Sequence, residues 1–386
     1  MINFVSNLPR ELRTGGFSAM SAAACDALQR RHEVAYVGPI DPPIVAWEKA
    51  VSKALRLSGL GGGFSAFSER RLKAIASEVD AQARPDAVLD FFHGFTPWIA
   101  TRSRRPHVAW SDCTFADYID IYHDRRAFRP DDLARIERAE AAWLRGARRV
   151  LFTSAWAADR AARAYDLDPT KVGQVGIFGE LEPPLADAYA GAAAFAFIST
   201  NFAAKGGPVV LEAFRQVRQA HPEVQLTIVG AAPADAAGEP GVSYAGFLRK
   251  EVPSELARFR AVLGQARALV HPTRSDIAPL LLVEAAMFGC PAIASRAFAI
   301  PELVADGESG LLLDAPADPA AVAAAMGRML DEGAYAGMRA AAWRRARELN
   351  SKRRFEDRLL GFVDAALVEM QARRRENPPG MKILFP

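Results

Sequence analysis

Short apolar runs, each stopped by Gly, Pro or a polar turn, alternate along this chain with longer segments of helical character. In the first half the runs at 2–5, 33–37, 87–92, 108–111, 149–153 and 172–178 read as strands. Between them, Gly15-Gly16 opens a small-residue helix to about Arg31, 135–145 reads as an exposed charged helix, and Ser154-Ala155-Trp156 opens another. The pattern breaks at 181–193, a linker-like stretch with Pro183-Pro184. A second series follows, with strands at 195–199, 224–229, 242–246, 268–270 and 291–295. Its helices are expected near 208–220, 254–267 and 280–288, and from about Ala320 the chain is helical. Strands alternating with helices in this way predict α/β architecture with parallel sheets. The stretch 44–63 fits less well. It mixes Trp47, Lys49, Lys53 and Arg56 with a glycine cluster at 59–63, and is expected to be a solvated helix or a membrane-surface contact leading into a mobile loop.

A length of 386 residues exceeds what one core usually carries, so two domains are expected. The formal net charge of +3 gives no argument for a nucleic-acid partner. Cys25, Cys113 and Cys290 are far apart and odd in number, which favours reduced thiols in a cytosolic protein over a disulfide framework or zinc site. The first residues lack a signal-peptide pattern and no apolar run reaches membrane-spanning length, so a soluble, cytoplasmic protein is expected.

Candidate chemistry gathers where strands end. Asp276 stands in the loop after the strand ending near His271, and Glu284 lies in the following helix, eight positions later. In a doubly wound sheet both fall at the carboxyl edge of the strands, where such folds bind ligands. Loop N–H groups of Ile277, Ala278 and Leu280 could meet phosphate, whereas Pro279 has no N–H to give. Lys205 with Gly206-Gly207 follows the first strand of the second half, at a helix start suited to a diphosphate, or is a surface lysine beside a turn. Gly15-Gly16 has the same place in the first half and reads equally well as a tight turn. His93, at the end of a strand, suits hydrogen bonding to a substrate oxygen or serves the core. Asp112, Asp117 and Tyr118 line an acceptor pocket or cap helices. No Walker loop, dinucleotide fingerprint or metal-ligand cluster is present in the sequence.

The ordered string Asp276, Glu284-Ala285, Gly289, Pro291, Pro301-Glu302-Leu303-Val304 and Gly310-Leu311-Leu312 resembles the donor-sugar motif of retaining GT-B glycosyltransferases of family 4. The resemblance implies two Rossmann-like domains facing each other across a cleft, an acceptor-binding one at 1–182 and a nucleotide-sugar-binding one at 183–354. A helix and tail at 355–386 would cross back to the first. It implies that Lys205 stabilises the departing diphosphate, Asp276 holds the sugar hydroxyls, Glu284 binds the ribose, His93 serves the acceptor side, and the loop with Phe247 and Leu248 reads the nucleobase through its main chain. Two departures stand out. Thr200 occupies the position of a usual Arg, leaving Arg249 or Lys250 as candidate second cations, and Phe298-Ala299 replaces a usual Gly-Gly.

The implied reaction moves a sugar from a nucleotide-sugar donor to a hydroxyl acceptor with retention, with no metal or other cofactor required. The nucleobase, sugar, acceptor and oligomeric state are not encoded in any motif. An epimerase of the same fold, a nicotinamide-dependent dehydrogenase and a non-catalytic scaffold are the rival readings, the dehydrogenase disfavoured by the missing glycine fingerprint.

Overall fold

The computed structural model describes all residues except 14, 16, 95–97, 102–104, 232–237 and 377–386. The chain divides into two compact units. The first comprises Met1–Val175 together with the segment from Phe355 onward, and the second is Gly176–Arg354. Each is built on a six-stranded parallel sheet with helices between most successive strands.

In the first unit the strands are β1 (Ile2–Ser6), β2 (Val34–Val37), β3 (Leu89–His93), β4 (His107–Ser111), β5 (Arg149–Phe152) and β6 (Val172–Gln174), in the order β2-β1-β3-β4-β5-β6. β1 and β3 are buried throughout. Such burial is expected where helices cover both faces of a parallel sheet, and it explains why these strands read as unbroken apolar runs. The register pairs Ser6 with His93 at the carboxyl ends of β1 and β3, where the strand order reverses. The helix Phe17–Gln29 lies against the sheet with ten buried residues, Met20, Leu28 and Cys25 among otherwise Ala and Ser, so its backbone approaches closely. The final helix, Lys352–Glu376, returns to this unit. Phe355 packs on Trp110 with ring centroids 5.4 Å apart, and Arg149 is ion-paired with Glu369.

The second unit contains β7 (Ala194–Ser199), β8 (Gln225–Gly230), β9 (Val242–Gly246), β10 (Ala268–His271), β11 (Ala292–Ser295) and β12 (Gly310–Leu313), ordered β12-β11-β10-β7-β8-β9. The order reverses between β7 and β10, and this crevice is where ligands bind in open α/β sheets. One face of the sheet is sealed by helices Gly207–Ala220 and Pro319–Met329 through Phe195, Phe197, Phe214 and Met326.

The stretch 44–63 departs from expectation at its end. Residues Ala46–Leu57 form a helix, but the glycine cluster after it is held. Gly62 N–H donates to Ala127 O and Gly62 O accepts from Arg129 N–H, both at 3.0 Å. A Cβ on Gly62 would collide with Ser52, so this glycine allows two backbone runs to meet. The first compact unit ends at Val175, ahead of the proline pair used to place the boundary at 182/183. The reason is visible in the next residues. Gly179 packs on Glu284 and Met287, and Glu180 pairs with Lys250, all within the second unit.

Candidate functional site

Two loops meet at the reversal point of the second sheet. The first leaves β7 at Ser199, whose Oγ accepts from Asn201 N–H at 2.9 Å; the Asn201 Oδ1 accepts in turn from Ala204 N–H at 3.1 Å. These bonds curl 200–206 into a turn that ends at Gly206. That residue is left-handed, with φ of 88°, and caps the helix Gly207–Ala220. A Cβ there would stand 2.8 Å from Pro272 O, so both conformation and space require glycine. The second loop leaves β10 at His271. Thr273 Oγ1 accepts from Ser275 N–H at 3.2 Å, and Ser295 Oγ donates to Thr273 O at 2.5 Å.

The loops are joined by Lys205, whose Nζ donates to Ser275 O at 2.7 Å and to Asp276 Oδ2 at 2.8 Å. His271 Nε2 stands 3.5 Å from the same carboxylate oxygen. Burial pushes the Asp276 carboxyl up, but the His271 ring and the Lys205 ammonium outweigh it and hold it below its ordinary value. An anionic oxygen acceptor and a cation are thus set beside a helix N-terminus, which itself favours negative charge. Thr200 is exposed at the start of the same turn.

A second cluster surrounds Glu284, in the helix Leu280–Met287. Lys250 Nζ donates to Glu284 Oε1 at 2.6 Å and to Glu180 Oε2 at 3.2 Å, and both carboxylates are buried. Burial and the neighbouring Glu180 raise the Glu284 carboxyl above its ordinary value against the opposing pull of Lys250. Burial lowers the Lys250 ammonium, but the two carboxylates outweigh it and raise it. Lys250 is therefore committed to this cluster, and Arg249 is tied to Glu255. The sequence singles out Glu284 but gives no sign of the residues that pair with it. Glu180 lies at the edge of a stretch read as linker, and no local spacing connects it to Lys250.

Ile277 is buried and its carbonyl accepts from Ala299 N–H at 3.0 Å, which ties the Asp276 loop to the turn at 298–299. Ala278 and Leu280 are half-buried beside it, and Pro279 is the helix N-cap, with no capping side chain. Phe298 has φ of 54°, the left-handed conformation that glycine adopts without cost. A non-glycine residue thus holds a backbone conformation usual for glycine in this turn. At the end of β9, Gly246 is left-handed with open space around it; in the loop that follows, Phe247 is 62% exposed and Leu248 is buried.

The first-unit candidates sit differently. His93 ends β3 and is fully buried, with Nδ1 3.3 Å from Ser6 Oγ and its ring between Phe17 and Trp110 at centroid distances of 5.0 and 4.5 Å. Its Nε2 has no hydrogen-bond partner among the described residues, and burial pushes its pKa down to about 3, so the imidazole is neutral at physiological pH. Gly15 is left-handed with open space around it, and Gly16 lies outside the described residues. Asp117 lies in the first turn of a helix capped by Thr114: Thr114 Oγ1 accepts the Asp117 N–H at 3.2 Å and donates to its Oδ2 at 3.0 Å, and Arg160 pairs with it at 2.6 Å.

Two six-stranded parallel α/β units with these strand orders make up the GT-B fold. The sucrose-phosphate synthase of Thermosynechococcus elongatus matches 96% of this chain and 99% of its own at a TM-score of 0.66 and 16% identity. Anabaena HepE, solved in complex with UDP-glucose, matches 95% of this chain and 100% of its own at a TM-score of 0.63 and 16% identity. Within the second unit, residues 192–332 match the family model described as Glycosyl transferases group 1. Over 143 residues the chain is 31% identical to the D-inositol 3-phosphate glycosyltransferase of Acidothermus cellulolyticus, covering 33% of this chain and 31% of that one. The chain thus matches about a third of the length of its curated relatives.

Proposed function

We propose that this protein is a retaining glycosyltransferase that moves a sugar from a nucleotide-sugar to a hydroxyl acceptor. The observation that carries the reading is the Lys205–Asp276 pair beside the Gly206-capped helix, at the point where the second sheet reverses its strand order. In this reading the donor diphosphate lies against the helix N-terminus and Lys205, Asp276 accepts hydrogen bonds from the sugar hydroxyls, and Glu284 accepts from the ribose. The bond from the anomeric carbon to the diphosphate oxygen breaks with its electron pair going to that oxygen. The acceptor oxygen bonds to the same face of the carbon, and its proton passes to the departing diphosphate. Lys205 stabilises the charge that develops on the leaving group. The match of residues 192–332 to a glycosyltransferase family model supports this assignment of the second unit.

The test is a thermal-shift panel of nucleoside diphosphates and their sugars, followed by turnover assays with candidate hydroxyl acceptors. A ligand at 100 times its dissociation constant raises stability by about 2.7 kcal/mol. Nucleoside diphosphate release that depends on acceptor, with a product of retained anomeric configuration, is expected. Release of free nucleotide at the same rate without acceptor would favour an epimerase, and no stabilisation by any nucleotide would favour a non-catalytic scaffold.

A further inference from the structure

Most amphipathic helices of globular proteins turn their apolar face inward. The helix Ala46–Leu57 does the opposite. Its one buried residue is Ser52, whose Oγ donates to Gly63 O at 2.5 Å, and Glu48 and Leu55 are half-buried on the same side. At about 100° per residue, Trp47, Ala50, Val51, Ala54 and Leu57 fall within one arc of roughly 120° on the remaining surface. That arc faces solvent: Trp47 is 60% exposed, Val51 50% and Leu57 80%, and Leu60 just beyond is 72% exposed. Lys49, Lys53 and Arg56 occupy the adjoining arc, all exposed and none of them in an ion pair among the described residues. Arg126 and Arg129 line the same hollow as Leu60 on the other flank.

We propose that this surface docks on an anionic lipid bilayer, with Trp47, Val51, Leu57 and Leu60 entering the headgroup–acyl boundary and the flanking cations meeting lipid phosphates. An apolar arc containing Trp and Leu beside a Lys/Arg arc, on a helix too short and too charged to span, is the chemistry of an interfacial anchor. The charge selects the occupant. A second copy of this chain placed face to face would bring two sets of unpaired cations together, which is repulsive. A nucleic-acid backbone would leave the exposed leucines in water. A negatively charged membrane satisfies both arcs at once. Among the described residues no helix is long and apolar enough to cross a membrane, so contact would be from one side.

The test is co-sedimentation of the full chain with vesicles of phosphatidylcholine, and with vesicles containing added phosphatidylglycerol. Binding is expected only to the anionic vesicles and should weaken as salt rises. The triple variant Lys49→Gln/Lys53→Gln/Arg56→Gln should lose on the order of 100-fold in vesicle affinity, from three surface cations. The variant Trp47→Ser/Leu57→Ser/Leu60→Ser should lose membrane binding while keeping the wild-type melting temperature and circular dichroism, since these side chains contribute little to the core. Equal sedimentation with neutral and anionic vesicles, or wild-type binding by either folded variant, would overturn the proposal. So would a concentration-dependent dimer abolished by the same substitutions, which would assign the face to a second copy.

Discussion

Lys205 Nζ and Asp276 Oδ2 are 2.8 Å apart although 71 positions separate them in the chain. Their meeting is a product of topology, because each follows a strand flanking the reversal point between β7 and β10. In the proposed function the pair separates tasks: the cation belongs to the diphosphate and the carboxylate to the sugar. Lys205→Ala should then lower turnover roughly 100- to 1000-fold, the usual cost of removing one preorganised charge-stabilising donor. Steady-state kinetics on the folded variant measures this, and near-normal turnover would place the phosphate site elsewhere.

The two acids should fail differently. Glu284→Ala is expected to weaken both the free nucleoside diphosphate and the full donor, since both carry the ribose. Asp276→Ala should weaken only the sugar donor. Each lost hydrogen bond to a charged acceptor is worth about 1.5–3 kcal/mol, or roughly 10- to 150-fold in affinity. Calorimetric titration of both ligands against both variants resolves the difference. Equal weakening of the sugar-free nucleotide by Asp276→Ala and Glu284→Ala would refute the division of roles.

Lys250→Met should make stability more steeply dependent on pH. Lys250 is the cation that opposes the upward push of burial and Glu180 on Glu284. Without it the Glu284 carboxyl rises further, so the folded state keeps a proton that the unfolded chain has released. Stability is then intact below the ordinary glutamate range and lost as pH rises through the raised value. The variant should be close to wild type near pH 4 and weaker by roughly 1–3 kcal/mol near pH 8. Adding Glu284→Gln should recover part of the loss. Melting curves at the two pH values decide, and an equal deficit at both would argue for lost packing alone.

Glu140 offers a second pH effect, in the first unit. It accepts from Phe115 N–H at 2.8 Å and Tyr165 Oη at 2.6 Å, and burial pushes its carboxyl up to about 7. The folded chain therefore holds this proton between the ordinary glutamate value and about 7, and stability falls as pH rises through that window. Glu140→Gln keeps an acceptor for both donors without the ionisation, and should flatten the decline by about 3 kcal/mol. Unchanged pH dependence of unfolding in that variant would show that another group titrates.

The fold was legible because parallel strands covered on both faces leave near-continuous apolar runs, and β1, β3, β7 and β10 each stood out in this way. Lys205, Asp276 and Glu284 could be read because loops after strands in such sheets converge on one edge. What stayed hidden depends on distance in sequence. Nothing near Glu180 announces Lys250, and nothing near Gly62 announces Ala127, because each contact is made by chain segments brought together only by folding. The depth of His93 was equally unreadable. A histidine ending a strand looks the same in sequence whether Phe17 and Trp110 enclose it or water does.

The first unit is discontinuous in the chain: residues 176–354 are interposed before the segment from Phe355 onward, within the helix Lys352–Glu376, completes it. On the ribosome, the second unit emerges as one uninterrupted piece and can close as soon as it is out. The first must wait, because Phe355 covers Trp110 and Phe362 lies over Gly173, and both aromatics are made only after the intervening domain. A stop codon at Phe355 would therefore spare the later-made unit and leave the earlier-made one with an uncovered apolar face.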